Sequence, residues 1–484
     1  MIPDFIQNLW PHMTATCAIF LTVFGICHVV INKKDSRTAV GWAGIIFLFP
    51  YLGALLYLLF GINRIKRKAS ELRTKSIRTF SAQQETTCSA KGLENILPQE
   101  SKHLIMLKKL VDNITRRPLV SSTDLEILLN GDESYPAMVS AIEKARHSIS
   151  LATFIFAHDA AGKMFINALS GAVNRGVQVR VLIDAVGSRF SFAPAFSELR
   201  RRGITARKFM PTMLPWYAKY INLRNHRKIL VVDGKAGFTG GINITVNNML
   251  RQRPRHPVQD LHFRVTGPVV RHLQEAFAED WFFVTGEKLR GEIWFPQQAA
   301  AGTLTARGIT DGPDEDFEKL KNIIMGALAC AQRTVRILTP YFLPQPELMD
   351  ALTLTALRGV DVDIIVPERG NHRLVAWASE GQFDQILEKG CRIWLAPPPF
   401  DHSKLMVVDN AWSLFGSANW DSRSLELNFE FNVECYSTEM AERLKTIFNK
   451  KQQQARLLSL EEVNRWPLAI KIRNGLCRLF LPYL

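Results

Sequence analysis

The sequence predicts an α/β protein: two tandem α/β units packed side by side as a pseudo-dimer, preceded by two N-terminal transmembrane helices. Three observations carry this expectation. Two long apolar segments lie near the N-terminus, a strand–helix–strand pattern occurs twice between about 120 and 450, and each copy ends in the same spaced set of polar residues.

The first apolar segment runs from Met13 to Ile31 without a formal charge, long enough to cross a bilayer as a helix. The second runs from about Ala39 to Ile62 through Trp42, Pro50 and Tyr57, and its glycines and proline leave a re-entrant path open. A cleaved signal peptide does not fit, because Asp4 is acidic and no Lys or Arg precedes Lys33. Arg64, Lys66, Arg67, Lys68, Arg73, Lys75 and Arg78 follow, against the single acid Glu71. A basic run beside a span favours anionic headgroups and puts the next domain on the cytoplasmic side, although Lys33, Lys34 and Arg37 in the short loop pull the other way.

The chain has 484 residues, 47% of them hydrophobic, which is enough for more than one core. With 60 basic and 45 acidic residues the net charge is +15, which calls for a polyanionic partner, nucleic acid or an acidic membrane surface. The basic residues cluster beside the apolar segments and do not interleave with stacking aromatics in the repeats, so no nucleic acid is expected. Seven scattered cysteines without a C-x-x-C pair exclude a disulfide framework or zinc site of the usual spacing.

The repeat is visible residue by residue. Ala145 to Leu151 matches Ala331 to Ile337, each a helix end running into a strand. Arg175-Gly176-Val177 and Arg358-Gly359-Val360 then each introduce a second apolar strand. This order implies α/β units around a largely buried sheet, with a boundary near 300.

Each unit closes with one pattern: His226-Arg-Lys228, Asp233, then Gly240-Gly241-Ile-Asn243; and His402-Ser-Lys404, Asp409, then Gly416-Ser417-Ala-Asn419. Residues two apart on a strand share a face, so each histidine stands beside its lysine. The turn residues Asp233-Gly234 and Asp409-Asn410 bring a returning strand, with its glycines and Asn243 or Asn419, back opposite the histidine. Such a surface suits an anionic oxygen, and two facing each other would surround one phosphodiester. One imidazole attacks phosphorus and the other protonates the departing oxygen, giving a phosphohistidine that an alcohol or water resolves. No metal is required, since two lysines can neutralise the developing charge, and no cofactor is implied. Asp233 and Asp409 complete the motif and are carried with the catalytic set, although their place at a turn, on the opposite face, reads as structural. Asp260 and Glu430 are the better candidates for orienting the imidazoles.

The doubled His-x-Lys-(x)4-Asp-(x)6-Gly-[Gly/Ser]-x-Asn pattern resembles the signature of the phospholipase D superfamily, and the resemblance narrows towards bacterial cardiolipin synthases. Their stretches look like Pro50-Tyr51-Leu-Gly53, Asp184-Ala-Val-Gly-Ser188, Arg224-Asn-His-Arg-Lys228, Phe238 to Asn243 and Thr339-Pro-Tyr-Phe342. The resemblance implies two phospholipase D-like units at 121–300 and 301–450. Before them come the membrane segments within 1–63 (about 13–31 and 39–62) and a basic linker at 64–120; an amphipathic tail at 451–484, interfacial or packed on the main domain, follows. It further implies condensation of two phosphatidylglycerols into cardiolipin and glycerol, with His226 as nucleophile and His402 as acid, in a multi-pass protein of the bacterial inner membrane. The sequence departs from the family at Val258, Asp401 and the Ile244 to Asn248 stretch, which bears on the identity of donor and acceptor. A phospholipase D-type hydrolase, a membrane-bound nuclease and an inactive scaffold are the competing readings; oligomeric state is not legible.

Overall fold

The computed structural model describes residues 4–33, 36–61, 87–115, 117–187, 195–210, 223–313 and 318–479. These fall into two units, one N-terminal and ending at residue 61, the other starting at residue 87.

In the N-terminal unit, α1 (Asp4–Asn32) is the one helix among the described residues long and apolar enough to cross a membrane. The second apolar segment is not one continuous helix. It divides into α2 (Ser36–Leu48) and α3 (Pro50–Leu56), because Phe49 leaves the helical region at φ −133°, ψ 74° ahead of Pro50. The chain then doubles back. A Cβ on Gly53 would lie 2.5 Å from the Ile45 carbonyl oxygen, so only glycine permits this approach. Tyr57 returns to the level of Trp42, ring centres 5.4 Å apart, and its hydroxyl lies 2.9 Å from His28 Nδ1 on α1. The 13 residues of α2 reach about 20 Å, short of the ~30 Å hydrocarbon layer. The basic run from Arg64 to Arg78 lies outside the described residues.

The larger unit is built twice over. Its first half contributes β1 (Val120–Leu129), β2 (Ser148–Thr153), β3 (Gln178–Asp184), β4 (Thr205–Phe209), β5 (Arg224–Asn225), β6 (Ile229–Val232), β7 (Ala236–Gly240), β8 (Val258–Gln259) and β9 (Leu261–Thr266). The second contributes β10 (Leu304–Asp311), β11 (Thr334–Leu338), β12 (Phe342–Leu343), β13 (Asp361–Pro367), β14 (Arg392–Ala396), β15 (Phe400–Asp401) and β16 (Leu405–Val408), then β17 (Trp412–Gly416), β18 (Trp420–Asp421), β19 (Asn428–Tyr436) and β20 (Arg456–Leu458).

Among the described residues one sheet runs β20-β14-β13-β11-β16-β17-β19-β10-β1-β9-β7-β6-β2-β3-β4. The half β1-β9-β7-β6-β2-β3-β4 repeats as β10-β19-β17-β16-β11-β13-β14, and the two meet where β1 pairs antiparallel with β10. Parallel pairs β2–β3 and β3–β4 recur as β11–β13 and β13–β14, while the motif strands form antiparallel hairpins β6–β7 and β16–β17.

Phe263 of the first half stacks on Phe415 of the second, ring centres 3.8 Å apart, within a hydrophobic core that draws on both halves. Such a pair adds about 1 kcal/mol beyond its buried area. Arg307 on β10 is fully buried and held by Glu434 at 2.5 Å and Asp112 at 2.7 Å, so its charge is paired on both sides.

Candidate active site

The motif hairpins explain their own turn residues. Asp233 and Gly234 both have positive φ, 51° and 61°, as do Asp409 and Asn410 at 50° and 52°. Two consecutive left-handed residues make the tight turn that matches the twist of paired strands. The Asp233 carboxylate accepts from the backbone N–H of Arg146, His147 and Ser148 at 2.7 to 2.9 Å. That of Asp409 accepts from Gln332, Arg333 and Thr334 at 2.8 Å and also meets His103 Nε2 at 2.7 Å. Both carboxylates therefore staple the motif turn to the start of β2 or β11. Both aspartates sit at the far end of the strand from the histidines, in keeping with the structural reading of their turn positions.

At the near end two short parallel pairings cross between the halves. β5 pairs with the start of β19 and β15 pairs with β8, so His226 N–H donates to the Phe429 carbonyl at 3.0 Å and His402 N–H to the Gln259 carbonyl at 2.8 Å. Each imidazole thereby meets a carboxylate from the opposite half. His226 Nδ1 lies 3.0 and 3.1 Å from the two Glu430 oxygens, and His402 Nδ1 lies 2.8 Å from Asp260 Oδ2. The ring centres of His226 and His402 are 6.4 Å apart. With Nδ1 taken by a carboxylate, Nε2 is the nitrogen left for chemistry on each ring.

Lys228 Nζ donates to the His226 carbonyl at 2.6 Å, and Lys404 Nζ to the His402 carbonyl. Burial lowers Lys228 to about 7 and Lys404 to about 8. Burial likewise raises Glu430 to about 7 and Asp260 to about 7. Both imidazoles are pushed well below the ordinary histidine value, first by burial and then by the two ammonium groups.

The glycines are dictated by the sheet. Gly240 and Gly416 have φ of 148° and 158°, and a Cβ on either would fall 2.6 or 2.4 Å from the facing carbonyl oxygen of Leu261 or Phe431. The next position differs between halves. A Cβ on Gly241 would lie 2.2 Å from Asp260 Oδ1, whereas its counterpart Ser417 uses its hydroxyl to hydrogen-bond Glu430. Asn243 Oδ1 accepts from the Ile155 N–H at 3.1 Å, and Asn419 Nδ2 donates to Ser424 Oγ at 3.1 Å. The asparagines thus brace neighbouring loops, while the Asn419 Oδ1 is buried without a protein partner.

Other groups were not singled out by the motif. Asp184 accepts from the N–H groups of Val186, Gly187 and Asn225 at 2.8 to 2.9 Å, bracing the residue before His226, and burial raises it to about 6. Arg227 clamps the Glu430 carbonyl at 3.0 Å and Asp280 at 2.7 Å. Phe154 stands edge-on to His226 at 5.2 Å, and Tyr341 to His402 at 6.1 Å. Asp401, one of the departures from the family, hydrogen-bonds Lys451.

Neither half can assemble an oriented imidazole alone, since each carboxylate comes from the other half; the class that this duplicated chain belongs to is that of the phospholipase D-like proteins. A family profile described as cardiolipin synthase, PLD-like domain, matches residues 138–281 and 324–452, and one described as phospholipase D-nuclease N-terminal matches 20–61. The chain belongs to the cardiolipin synthase family of phospholipase D-like proteins. A cardiolipin synthase of Geobacillus sp. (strain WCH70) is 32% identical over 475 residues, covering 97% of this chain and 93% of that protein. The major cardiolipin synthase of Bacillus subtilis (strain 168) is 31% identical over 483 residues, covering 96% and 99% respectively. The solved phosphatidylserine synthase of Haemophilus influenzae Rd KW20 shares the fold with a TM-score of 0.62 at 16% identity, over 78% of this chain and 100% of that one.

Proposed function

We propose that this chain transfers a phosphatidyl group from one phosphatidylglycerol to another, forming cardiolipin and releasing glycerol through a phosphohistidine. The observation that carries the reading is the pair of buried imidazoles 6.4 Å apart between ring centres, each held through Nδ1 by a carboxylate. In the first step His226 Nε2 attacks phosphorus, the bond to the donor's glycerol oxygen breaks, and His402 gives that oxygen a proton. In the second, the acceptor hydroxyl loses its proton to His402, its oxygen attacks phosphorus, and the P–N bond breaks. Lys228 and Lys404 supply positive charge where the phosphoryl oxygens gather negative charge.

The chain works at the bacterial inner membrane, with α1 as its crossing and the α2–α3 hairpin re-entrant; the basic run after residue 63 favours a cytoplasmic catalytic unit. The terminal helix Leu468–Leu479 supports contact with an anionic bilayer. One face packs on the main body through Asn474 and Cys477, while Leu468, Ile472, Leu476 and Leu479 form an exposed apolar stripe. The helix also carries Lys471, Arg473 and Arg478 and no acid. A cavity of about 310 Å³ lined by Tyr341, His372, Val375, Trp466 and Ile470 connects this helix to the residue beside His402 and supports a path for lipid.

The test is incubation of the purified chain with phosphatidylglycerol carrying labelled phosphorus. Cardiolipin as main product and an acid-labile label on His226, absent from His226→Ala, are expected. Phosphatidic acid as main product would replace the transferase reading with a hydrolase.

A further inference from the structure

A polar side chain outside the motif lies in register with each motif lysine. The β6–β7 hairpin that pairs Ile229 with Thr239 sets Lys228 opposite Gly240 one step further on, and Gly240 is paired with His262 on β9, whose other neighbour is Leu128 on β1. The second half repeats the row: Lys404 stands opposite Gly416, Gly416 is paired with Asn432, and Asn432 with Ile309. Directly paired residues share a face of a sheet, so each row presents an apolar side chain, a polar one, a glycine and the lysine on one side. The glycine leaves the polar side chain room to lean over it towards the lysine. A Cβ on Gly240 would lie 2.7 Å from His262 Nδ1, and one on Gly416 would lie 2.5 Å from Asn432 Oδ1.

The two rows differ in what they offer the lysine. Asn432 Oδ1 accepts from Ala418 N–H at 3.3 Å, and the amide nitrogen left over is a donor. His262 is 1% exposed, and neither Nδ1 nor Nε2 has a hydrogen-bond partner among the described residues. Burial and then the charge of Lys228 push His262 down to about 3, so the imidazole is neutral and one ring nitrogen is a buried acceptor. Leaving such an acceptor unpaired is costly, and the donor in its row is Lys228. Of the three N–H groups of Lys228 the structure commits one, to the His226 carbonyl at 2.6 Å. The charges that reach Lys228 are those of Glu430 on β19, Lys404 ahead of β16, Asp260 between β8 and β9, and Asp184 on β3; among the described residues none of these groups hydrogen-bonds to it.

We propose that His262 is a positioning residue for the phosphoryl transfer: its neutral imidazole accepts an N–H from Lys228 across Gly240, which keeps that ammonium protonated and directs a further N–H to the phosphate at His226. The inference rests on the transferase reading. Each N–H of Lys228 then has its own acceptor, namely the His226 carbonyl, the His262 imidazole and a phosphoryl oxygen. The second half has no such acceptor at the matching position, because the Asn432 oxygen is taken by Ala418, so the two lysines are not interchangeable.

The full-length enzyme in mixed micelles tests this through the alkaline limb of its pH profile. Cardiolipin formation is followed across the pH range together with exchange of labelled glycerol into phosphatidylglycerol, which reports formation and reversal of the covalent intermediate. His262→Leu fills the space and removes the acceptor. It is expected to move the limb about one pH unit to lower pH, the size of a lost hydrogen bond to a charged group, through kcat and with KM for phosphatidylglycerol little changed. His262→Gln, which supplies a neutral acceptor, should bring the limb back towards its wild-type position, and His262→Ala carries the expectation of the leucine variant if the leucine is not accommodated. A limb that stays in place, whatever the loss of activity, or one that moves as far with glutamine as with leucine, would overturn the assignment. A wild type that forms phosphatidic acid in place of cardiolipin would instead sink the transferase reading, and the limb of that hydrolysis would then decide on His262.

Discussion

Lys404, lowered to about 8, and Lys228, lowered to about 7, lose their charge as pH rises, while Glu430 and Asp260, both raised to about 7, lose theirs as pH falls. The signs are opposite, so kcat/KM for phosphatidylglycerol should trace a bell centred near neutrality, its alkaline limb set by the lysines and its acid limb by the carboxylates. A flat profile from pH 5 to 9 would contradict this assignment. Lys404→Gln should remove part of the alkaline limb and lower kcat about a hundredfold or more, as loss of one charge-stabilising donor does. Gly241 is the sharper steric test. A methyl group at 2.2 Å from Asp260 Oδ1 must displace that carboxylate and release His402, so Gly241→Ala should lower kcat by about tenfold or more, whereas Ser417→Ala removes one hydrogen bond to Glu430 and should do less. Steady-state kinetics on the two variants decides between them.

At the scale of elements, the motif hairpins were legible because Asp-Gly and Asp-Asn between apolar runs specify a two-residue turn, and the turn sets the register. What the aspartate side chains do there was not legible, since their backbone partners lie about 75 to 87 residues away in sequence. Asp409→Asn should weaken three hydrogen bonds at a buried carboxylate and lower stability by about 2 kcal/mol, with turnover per folded molecule nearly unchanged; thermal unfolding read beside activity checks it. The second apolar segment was legible in composition and not in path. Pro50 marks the break, but the return depends on Gly53 meeting Ile45 and Tyr57 meeting Trp42, contacts that no spacing rule announces. For the terminal helix, Ile472→Glu with Leu476→Glu should reduce activity on phosphatidylglycerol vesicles severalfold and spare activity on a monomeric short-chain phosphatidylglycerol. Equal loss on both substrates would assign the stripe to folding.

At the scale of the whole molecule, each imidazole belongs to one half and its carboxylate to the other, His226 with Glu430 and His402 with Asp260. A fragment ending near residue 300 should therefore fail to exchange glycerol although His226 is present, and adding the second half in trans should restore exchange only if β1 and β10 pair again. Exchange by the isolated first half would mean that the site does not need the seam.

The sequence by itself determined the duplication and the hairpin that carries each histidine and lysine, because periodicity, turn chemistry and equal spacing are local properties of a chain; Asp260 and Glu430 it offered only as candidates. Only the tertiary structure decided which carboxylate meets which histidine and which backbone groups Asp233 and Asp409 hold. Those relations arise when the two halves of the sheet join at β1 and β10 and the short strands cross between them, and the energy of that junction lies in surfaces such as Phe263 on Phe415, far apart along the chain.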